Sequence, residues 1–169
     1  IGGFSSSGGD EFGDFDGGYF GLVTIGYDFA DRVGLDKSMV RLDYVYNDED
    51  ENNRGTRDLE QVVSLNGQFE KGRFGVWTDV AAGDGYGGQS DIFAVAIMPF
   101  YDINDKLQAV FSYNYVTSDD FNGVRLDRYE SKALSGKVDE LHEFYLGLNY
   151  YLCGHKLKWQ NGIEYTTAN

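Results

Sequence analysis

The sequence predicts an all-β protein, an antiparallel transmembrane β-barrel with about eight strands in this chain. Apolar residues alternate with polar ones along segments of about ten residues, and turn-forming residues separate the segments. No apolar run approaches the ~20 residues that a membrane helix needs. The mean hydropathy of −0.43 fits a barrel, because only alternate residues of each strand face lipid.

Composition supports the same class. Aromatic residues make up 16% of the 169 residues, with 23 glycines and one proline, as in proteins with many strands and glycine-rich turns. The 28 acidic residues outnumber the 14 basic ones, which argues against a nucleic-acid partner, because phosphate binding needs a basic surface. Cys153 is the single cysteine, so it forms no internal disulfide, and we assign it no role.

The predicted strands are longer than the average strand of a soluble protein and match the ~9–11 residues of a tilted membrane strand. They are Tyr19–Phe29, Met39–Asn47, Leu59–Glu70, Phe74–Gly83, Asp91–Tyr101, Leu107–Thr117, Leu141–Leu152 and Leu157–Thr166. Short connections such as "DINDK" alternate with longer polar ones, as in outer-membrane barrels. We therefore predict one barrel portion over residues 1–169, with residues 1–18 as an extracellular loop and strands within 19–166.

The last two predicted strands show the two faces that such a barrel needs. Phe144, Leu146 and Leu148 share a face that suits lipid, and Glu143 and Asn149 lie on the opposite face, which suits water in a lumen. Aromatic residues concentrate near the strand ends, as in interfacial girdles. A soluble β-sandwich also has alternating strands, but it leaves the girdles and the alternation of connection lengths unexplained.

Charged residues in the lumen register are predicted to line the pore, where fixed charges set ion selectivity. They are Arg41, Asp43, Glu70, Asp79, Glu143, Lys158 and Glu164. A second group of basic residues lies on the long connections and either folds into the pore or neutralises neighbouring acids: Arg54, Arg57, Arg125 and Arg128.

The sequence offers little for catalysis or metal binding. His142 and His155 are the only histidines, and His142 cannot form a dyad with Glu143, because neighbours on a strand point to opposite faces. The run "DFDGG" at 14–18 lacks the glutamate that closes a calcium loop. We therefore expect no enzymatic activity, no cofactor and no metal site.

Three runs resemble the phosphate-selective porin O and P family of bacterial outer-membrane proteins: "FYLGLNYYLCGHKLKWQNGIEY", "YDINDKLQAVFSYNY" and "RLDYVYN". The resemblance extends from about Tyr19 to Tyr165, and "YYLCGHKLK" is its most specific part. It implies a 16-stranded barrel in the outer membrane, usually a homotrimer, that passes small anions, above all phosphate. Its partners would then be outer-membrane lipid, further copies of the chain and small solutes.

Eight strands are about half of such a barrel, so we interpret the chain as an internal portion of a porin. The edge segments Tyr19–Phe29 and Leu157–Thr166 should then pair with further strands or with each other. Pro99 should mark a bulge or a strand end, because proline cannot donate to the ladder. The competing function is a non-conducting barrel that anchors an outer-membrane assembly.

Overall fold

The main structural unit is one antiparallel sheet of nine strands. The computed structural model describes residues 1–5, 18–48, 58–121, 123–126, 130–133, 136–153 and 156–169. The strands are β1 (Gly2–Ser5), β2 (Tyr19–Asp28), β3 (Lys37–Asn47), β4 (Leu59–Lys71), β5 (Phe74–Gly85), β6 (Ile92–Asn104), β7 (Leu107–Ser118), β8 (Val124–Arg125), β9 (Lys137–Val138), β10 (Glu140–Tyr151) and β11 (Lys158–Ala168).

All eight predicted strands are confirmed, with ends that shift by a few residues. The segment predicted as a loop over 1–18 contains β1, which pairs with the first residues of β2. The two helices, α1 (Ala30–Val33) and α2 (Glu130–Ala133), have four residues each and lie in connections. No helix in the described part of the chain is long and apolar enough to cross a bilayer.

The sheet follows chain order, because its strands run β1 to β7 and then β10 and β11. The strands β8 and β9 form a separate small hairpin within the connection from β7 to β10. The sheet is not closed: among the described residues, the outer side of β11 has no strand partner, and β1 pairs with only Tyr19–Leu22 of β2. The two edge segments therefore do not pair with each other here.

The short turns at one end of the sheet contact each other. Gly72 has a φ of 60°, a left-handed conformation that glycine adopts without strain, and it reverses the chain between β4 and β5. Its N–H donates to the Asp36 carboxylate across 2.6 Å. This bond joins the turn to the connection that precedes β3.

Pro99 lies inside β6, so the expected strand end or bulge at this position is wrong. Pro99 is the ladder partner of Val76 in β5. Towards β7, Ile97 pairs with Tyr113 and Phe100 pairs with Val110, so the register is the same on both sides of Pro99. The two β6 residues between Ile97 and Phe100, one of which is Pro99, have no ladder partner in β7. The strand therefore accommodates the missing proline N–H by a local gap in the ladder. The register shift of β6 lies further along, between Asp102 and Asn104.

The ladder register divides the sheet into two chemically different faces. Ile25, Leu42, Leu65, Val80 and Val95 are consecutive partners on β2 to β6 and lie on one face, which we call the apolar face. In the described strands this face carries no Asp, Glu, Lys or Arg except at strand ends, where it holds Lys71, Asp84 and Glu140. The opposite side, the polar face, carries the remaining strand charges.

The apolar face is exposed to its surroundings. Ile25 is 67% exposed, Leu146 63% and Ile163 78%. The buried apolar cluster of the described residues is small, consisting of Val124, Leu126 and Val138. A soluble sandwich needs an apolar core between two packed sheets, and the described residues form no such core.

Aromatic rings cover several glycines of the polar face. A Cβ built on either Gly147 or Gly162, which are ladder partners, would overlap the ring of Tyr145. A Cβ on Gly75 would overlap the ring of its partner Phe100. The absence of a side chain at these glycines therefore lets the rings lie flat on the sheet.

We predict that Gly147→Ala lowers the free energy of unfolding by about 1–3 kcal/mol, because the added methyl must displace Tyr145. The control is Gly26→Ala, whose Cβ would meet the Arg41 Cγ at an ordinary 3.7 Å. Denaturant unfolding of both variants gives the comparison. Removing the ring with Tyr145→Ala should recover part of the loss; equal costs in the two alanine variants would contradict this packing.

Candidate functional site

The polar face brings together all seven residues that the sequence predicts to line a pore. The ladder places them on the same side of the sheet: Arg41, Asp43, Glu70, Asp79, Glu143, Lys158 and Glu164. Lys37 and Asp102 share this face but lie beyond the predicted ends of β3 and β6, so the sequence analysis missed them. Acidic residues outnumber basic ones on the described polar face.

A hydrogen-bonded network crosses β2 to β5 on this face. The Asp43 carboxylate accepts from Thr24 Oγ1 at 2.7 Å, from Asn66 Nδ2 at 3.0 Å and from Arg41 Nε at 2.8 Å. Ser64 Oγ donates to Asp79 Oδ1 at 2.6 Å. Arg41 is therefore locally neutralised by Asp43, whereas the partner that the network gives Asp79 is an uncharged hydroxyl.

Glu70 lies at the short-turn end of the face, between Lys37 and Trp77. Its Oε1 is 3.5 Å from Lys37 Nζ and accepts a hydrogen bond from Trp77 Nε1 at 3.2 Å. Lys37 Nζ also lies 5.5 Å from the centre of the Trp77 ring. The two charged side chains are 39% and 31% exposed, so the ion pair contributes little to stability.

The other predicted charges lie on the last two strands of the sheet. Asn114 Nδ2 in β7 donates to Glu143 Oε2 in β10 at 3.4 Å. Glu164 and Lys158 lie on β11 and are exposed. Five of the seven predicted residues are acidic and two are basic, so this set gives the polar face a net negative charge.

Of the four basic loop residues, only Arg125 is described. Its Nη2 lies 2.9 Å from Asp58 Oδ2, so Arg125 pairs with an acid of the connection that precedes β4. This contact favours the neutralising role over a free charge in the pore. Arg54, Arg57 and Arg128 lie outside the described residues.

The β8–β9 hairpin covers part of the polar face at the long-connection end. Its residues Val124 and Val138 are buried, and they pack with Leu126 against Val116, Leu141 and Ala168. These three sheet residues point to the polar face. In the same region, Gln89 Nε2 donates a hydrogen bond to the Gly123 carbonyl at 2.8 Å, which joins the β5–β6 connection to the residue before β8. The long connection therefore folds back over the face that carries the charges.

A concavity of about 610 Å³ occupies the short-turn end of the polar face. Its lining includes side chains from Glu70 in β4 to Gln160 in β11, so the sheet curls towards its polar side here. The lining combines aromatic rings, amides and charged groups: Glu70, Trp77, Met98, Phe100, Asp102, Gln108, Val110, Ser112, Tyr145, Asn149, Tyr151, Lys158 and Gln160. The sequence analysis placed Asn149 on the lumen side but did not identify the amides as a site, because uncharged polar residues in a lumen register give no distinct signal.

Neither a metal site nor a His142–Glu143 dyad occurs among the described residues. No three or more His, Cys, Asp or Glu residues there are arranged to hold a metal ion. His142 lies on the apolar face near the start of β10, where its Nδ1 is 3.0 Å from the Tyr113 hydroxyl. His142 and Glu143 occupy opposite faces, so they form no dyad. His155 lies outside the described residues.

Comparisons of the chain with protein-family models, with curated proteins and with solved structures found no match. The fold itself is a curved antiparallel sheet with one apolar and one polar face. Membership of the porin O and P family stays a prediction based on the sequence runs given above.

We predict that Val138→Ser frees the β8–β9 hairpin from the sheet, because it removes an apolar side chain that is only 6% exposed. Amide hydrogen exchange at Leu126, whose N–H donates to the Gly136 carbonyl, should accelerate about tenfold or more. The control Arg125→Gln breaks an exposed ion pair and should change exchange only slightly. Equal exchange in the two variants would show that the apolar cluster does not hold the hairpin.

Proposed function

We propose that this sheet is part of the wall of a bacterial outer-membrane porin. In this proposal the apolar face contacts lipid, and the polar face borders a water-filled pore through which ions and small hydrophilic solutes diffuse. The single observation that carries the proposal is the exposed apolar face, which lies opposite a charged, hydrogen-bonded face across the same strands.

The size and chemistry of the apolar face favour lipid over water. Soluble monomers rarely expose apolar patches larger than a few hundred Å², whereas here exposed apolar residues recur from Ile25 on β2 to Ile163 on β11. Charged side chains cost about 2–4 kcal/mol at the centre of a bilayer. Their restriction to strand ends on this face is therefore what a lipid-facing surface requires.

Strand length and aromatic placement also support a membrane wall. The long strands from β2 onward have 10 to 13 residues, close to what a tilted membrane strand needs. At the short-turn end, Phe29 contacts both Tyr27 and Phe69, with ring centres 6.3 Å apart in each pair. At the other end, the ring centres of Tyr19 and Tyr46 are 6.3 Å apart. Such bands suit the two membrane–water interfaces.

The open edges favour a larger barrel. Unpaired backbone groups in hydrocarbon cost several kcal/mol each. The outer side of β11, and that of β2 beyond Leu22, therefore need strand partners in a membrane. We propose a barrel of about sixteen strands, the number that the family resemblance implies. The same resemblance implies a homotrimer and a preference for phosphate, but the excess of acids on the polar face weighs against the phosphate preference.

A non-conducting anchoring barrel is the second candidate function. The observation that favours it is the β8–β9 hairpin, which packs on the polar face and would take up lumen space in a closed barrel. Recordings of the full-length protein in a planar bilayer distinguish the two functions. Stable ion conductance supports the porin, and a folded protein that inserts without conducting supports the anchor.

We predict opposite tolerance to charge at two neighbouring positions of β5. Val80 is 41% exposed on the apolar face, and Ala81 points to the polar face. Val80→Arg should lower the free energy of unfolding from lipid vesicles by about 2–4 kcal/mol, whereas Ala81→Arg should cost much less. If Val80→Arg is as stable as Ala81→Arg, the apolar face does not contact lipid.

We also predict that the charges of the polar face set ion selectivity, because screening over ~8 Å at physiological salt leaves a narrow pore sensitive to them. Replacing Arg41 and Lys158 by glutamine should shift the reversal potential in a KCl gradient towards cations. Neutralising Asp79 and Glu143 should shift it towards anions.

The control for selectivity is Ser112→Ala, an uncharged change on the same face. It should leave the reversal potential unchanged. The visible acids predict a wild-type pore that is weakly selective or prefers cations. A strong anion preference that none of the charge variants alters would show that other parts of the wall decide selectivity.

A further inference from the structure

The concavity at the short-turn end contains a row of hydrogen-bonded amides, which we call the amide row. Gln160 Nε2 donates to Asn149 Oδ1 at 2.8 Å, and Asn149 Nδ2 donates to Gln108 Oε1 at 3.0 Å. Gln108 Nε2 then donates to Asp102 Oδ1 at 2.9 Å. The row crosses β6, β7, β10 and β11, and each member orients the next.

The amide row retains capacity for a ligand. Each amide NH₂ group has two N–H donors, and in this row one of the two bonds to the next residue. The second N–H of Gln108 and that of Gln160 have no partner among the described residues, whereas Asn149 is also hydrogen-bonded to the Tyr151 hydroxyl. The row therefore presents two free donors, one on Gln108 and one on Gln160, in fixed positions beside the acceptor oxygens of Asp102.

Aromatic rings lie in the same concavity. Phe100 and Tyr145 lie flat over glycines, so the opposite side of each ring faces away from the sheet. Trp77 stands edge-on to Phe100, with ring centres 5.9 Å apart, and is 38% exposed. The negative π face of such rings attracts polarised C–H groups. Stacking surface and directional donors therefore occur side by side.

The charges of the concavity select the class of ligand. Glu70 and Asp102 oppose the single cation Lys158 in the lining, which disfavours an anion such as phosphate. Lys37 Nζ already lies 5.5 Å from the centre of the Trp77 ring, which disfavours a second cation there. An uncharged ligand that has both hydroxyl groups and C–H faces is neither repelled by the two acids nor excluded by the charge of Lys37.

We propose that this concavity binds a neutral saccharide. The C–H face of a sugar ring packs on Trp77 and Tyr145, and its hydroxyls bond to the amide row and to Asp102. The volume of about 610 Å³ lies within the ~300–1,000 Å³ of typical small-molecule sites. The proposal rests on the proposed function, because it names a solute class for the pore.

The test uses the full-length protein in a planar bilayer, with maltotriose as the probe. Maltotriose should reduce the ion current in a saturable manner, because a bound sugar blocks part of the pore. Sodium phosphate and tetramethylammonium chloride at equal ionic strength should not block it saturably. Absence of any conductance would contradict the porin itself, whereas a conducting pore that maltotriose does not block would overturn the saccharide site alone.

Two tryptophans provide a matched pair of variants. Trp77 lines the concavity, and Trp159 lies on the apolar face as the ladder partner of Tyr150. Trp77→Leu should raise the half-blocking maltotriose concentration about fivefold or more, and Trp159→Leu should change it less than about twofold. Equal effects of the two changes would overturn the site.

A further variant keeps the proposal testable if the Trp77→Leu protein does not fold. Gln160 is exposed on β11, so Gln160→Ala should fold normally while removing one end of the amide row. It should also weaken maltotriose block by about fivefold. Unchanged block in a folded, conducting Gln160→Ala protein, or saturable block by phosphate instead of maltotriose, would overturn the proposal.

Discussion

The hydrogen-bond register between neighbouring strands is the constraint on which the other features depend. Side chains alternate with a period of two, so a slip of one residue would exchange the two faces of a strand. Such a slip of β5 would bring Asp79 onto the apolar face and Val80 onto the polar one. The bonds of Asp43 to Thr24 and Asn66 join three strands in the observed register and so help to fix it.

The polar face is divided along the strand direction. At the long-connection end, the β8–β9 hairpin shields it with a small apolar cluster. The middle carries carboxylates held by hydroxyl and amide groups, such as Asp79 with Ser64 and Glu143 with Asn114. The short-turn end has the concavity, with its rings and amides. The polar face therefore presents three different chemical environments in order along the strand direction.

Periodicity in the sequence was enough to predict the eight long strands and the face of each predicted pore-lining charge, because both depend on local alternation. It could not predict β1, whose four residues form a strand only by pairing with β2. The position of Pro99 inside β6 depends on an unpaired gap towards β7 that the sequence of one strand does not encode. The concavity was also missed, because Glu70 and Gln160 meet there only through the curvature of the sheet.

The order of strands in the sheet has a consequence for how the chain folds. Each long strand pairs with the long strand that precedes it in the chain, even where β7 and β10 are separated by the β8–β9 hairpin. Such local pairing keeps the entropy of loop closure small at every step. Assembly can then proceed one strand at a time, but each intermediate exposes a new edge that invites aggregation. Contacts that cover the growing edge while the chain folds should therefore lower the risk of aggregation.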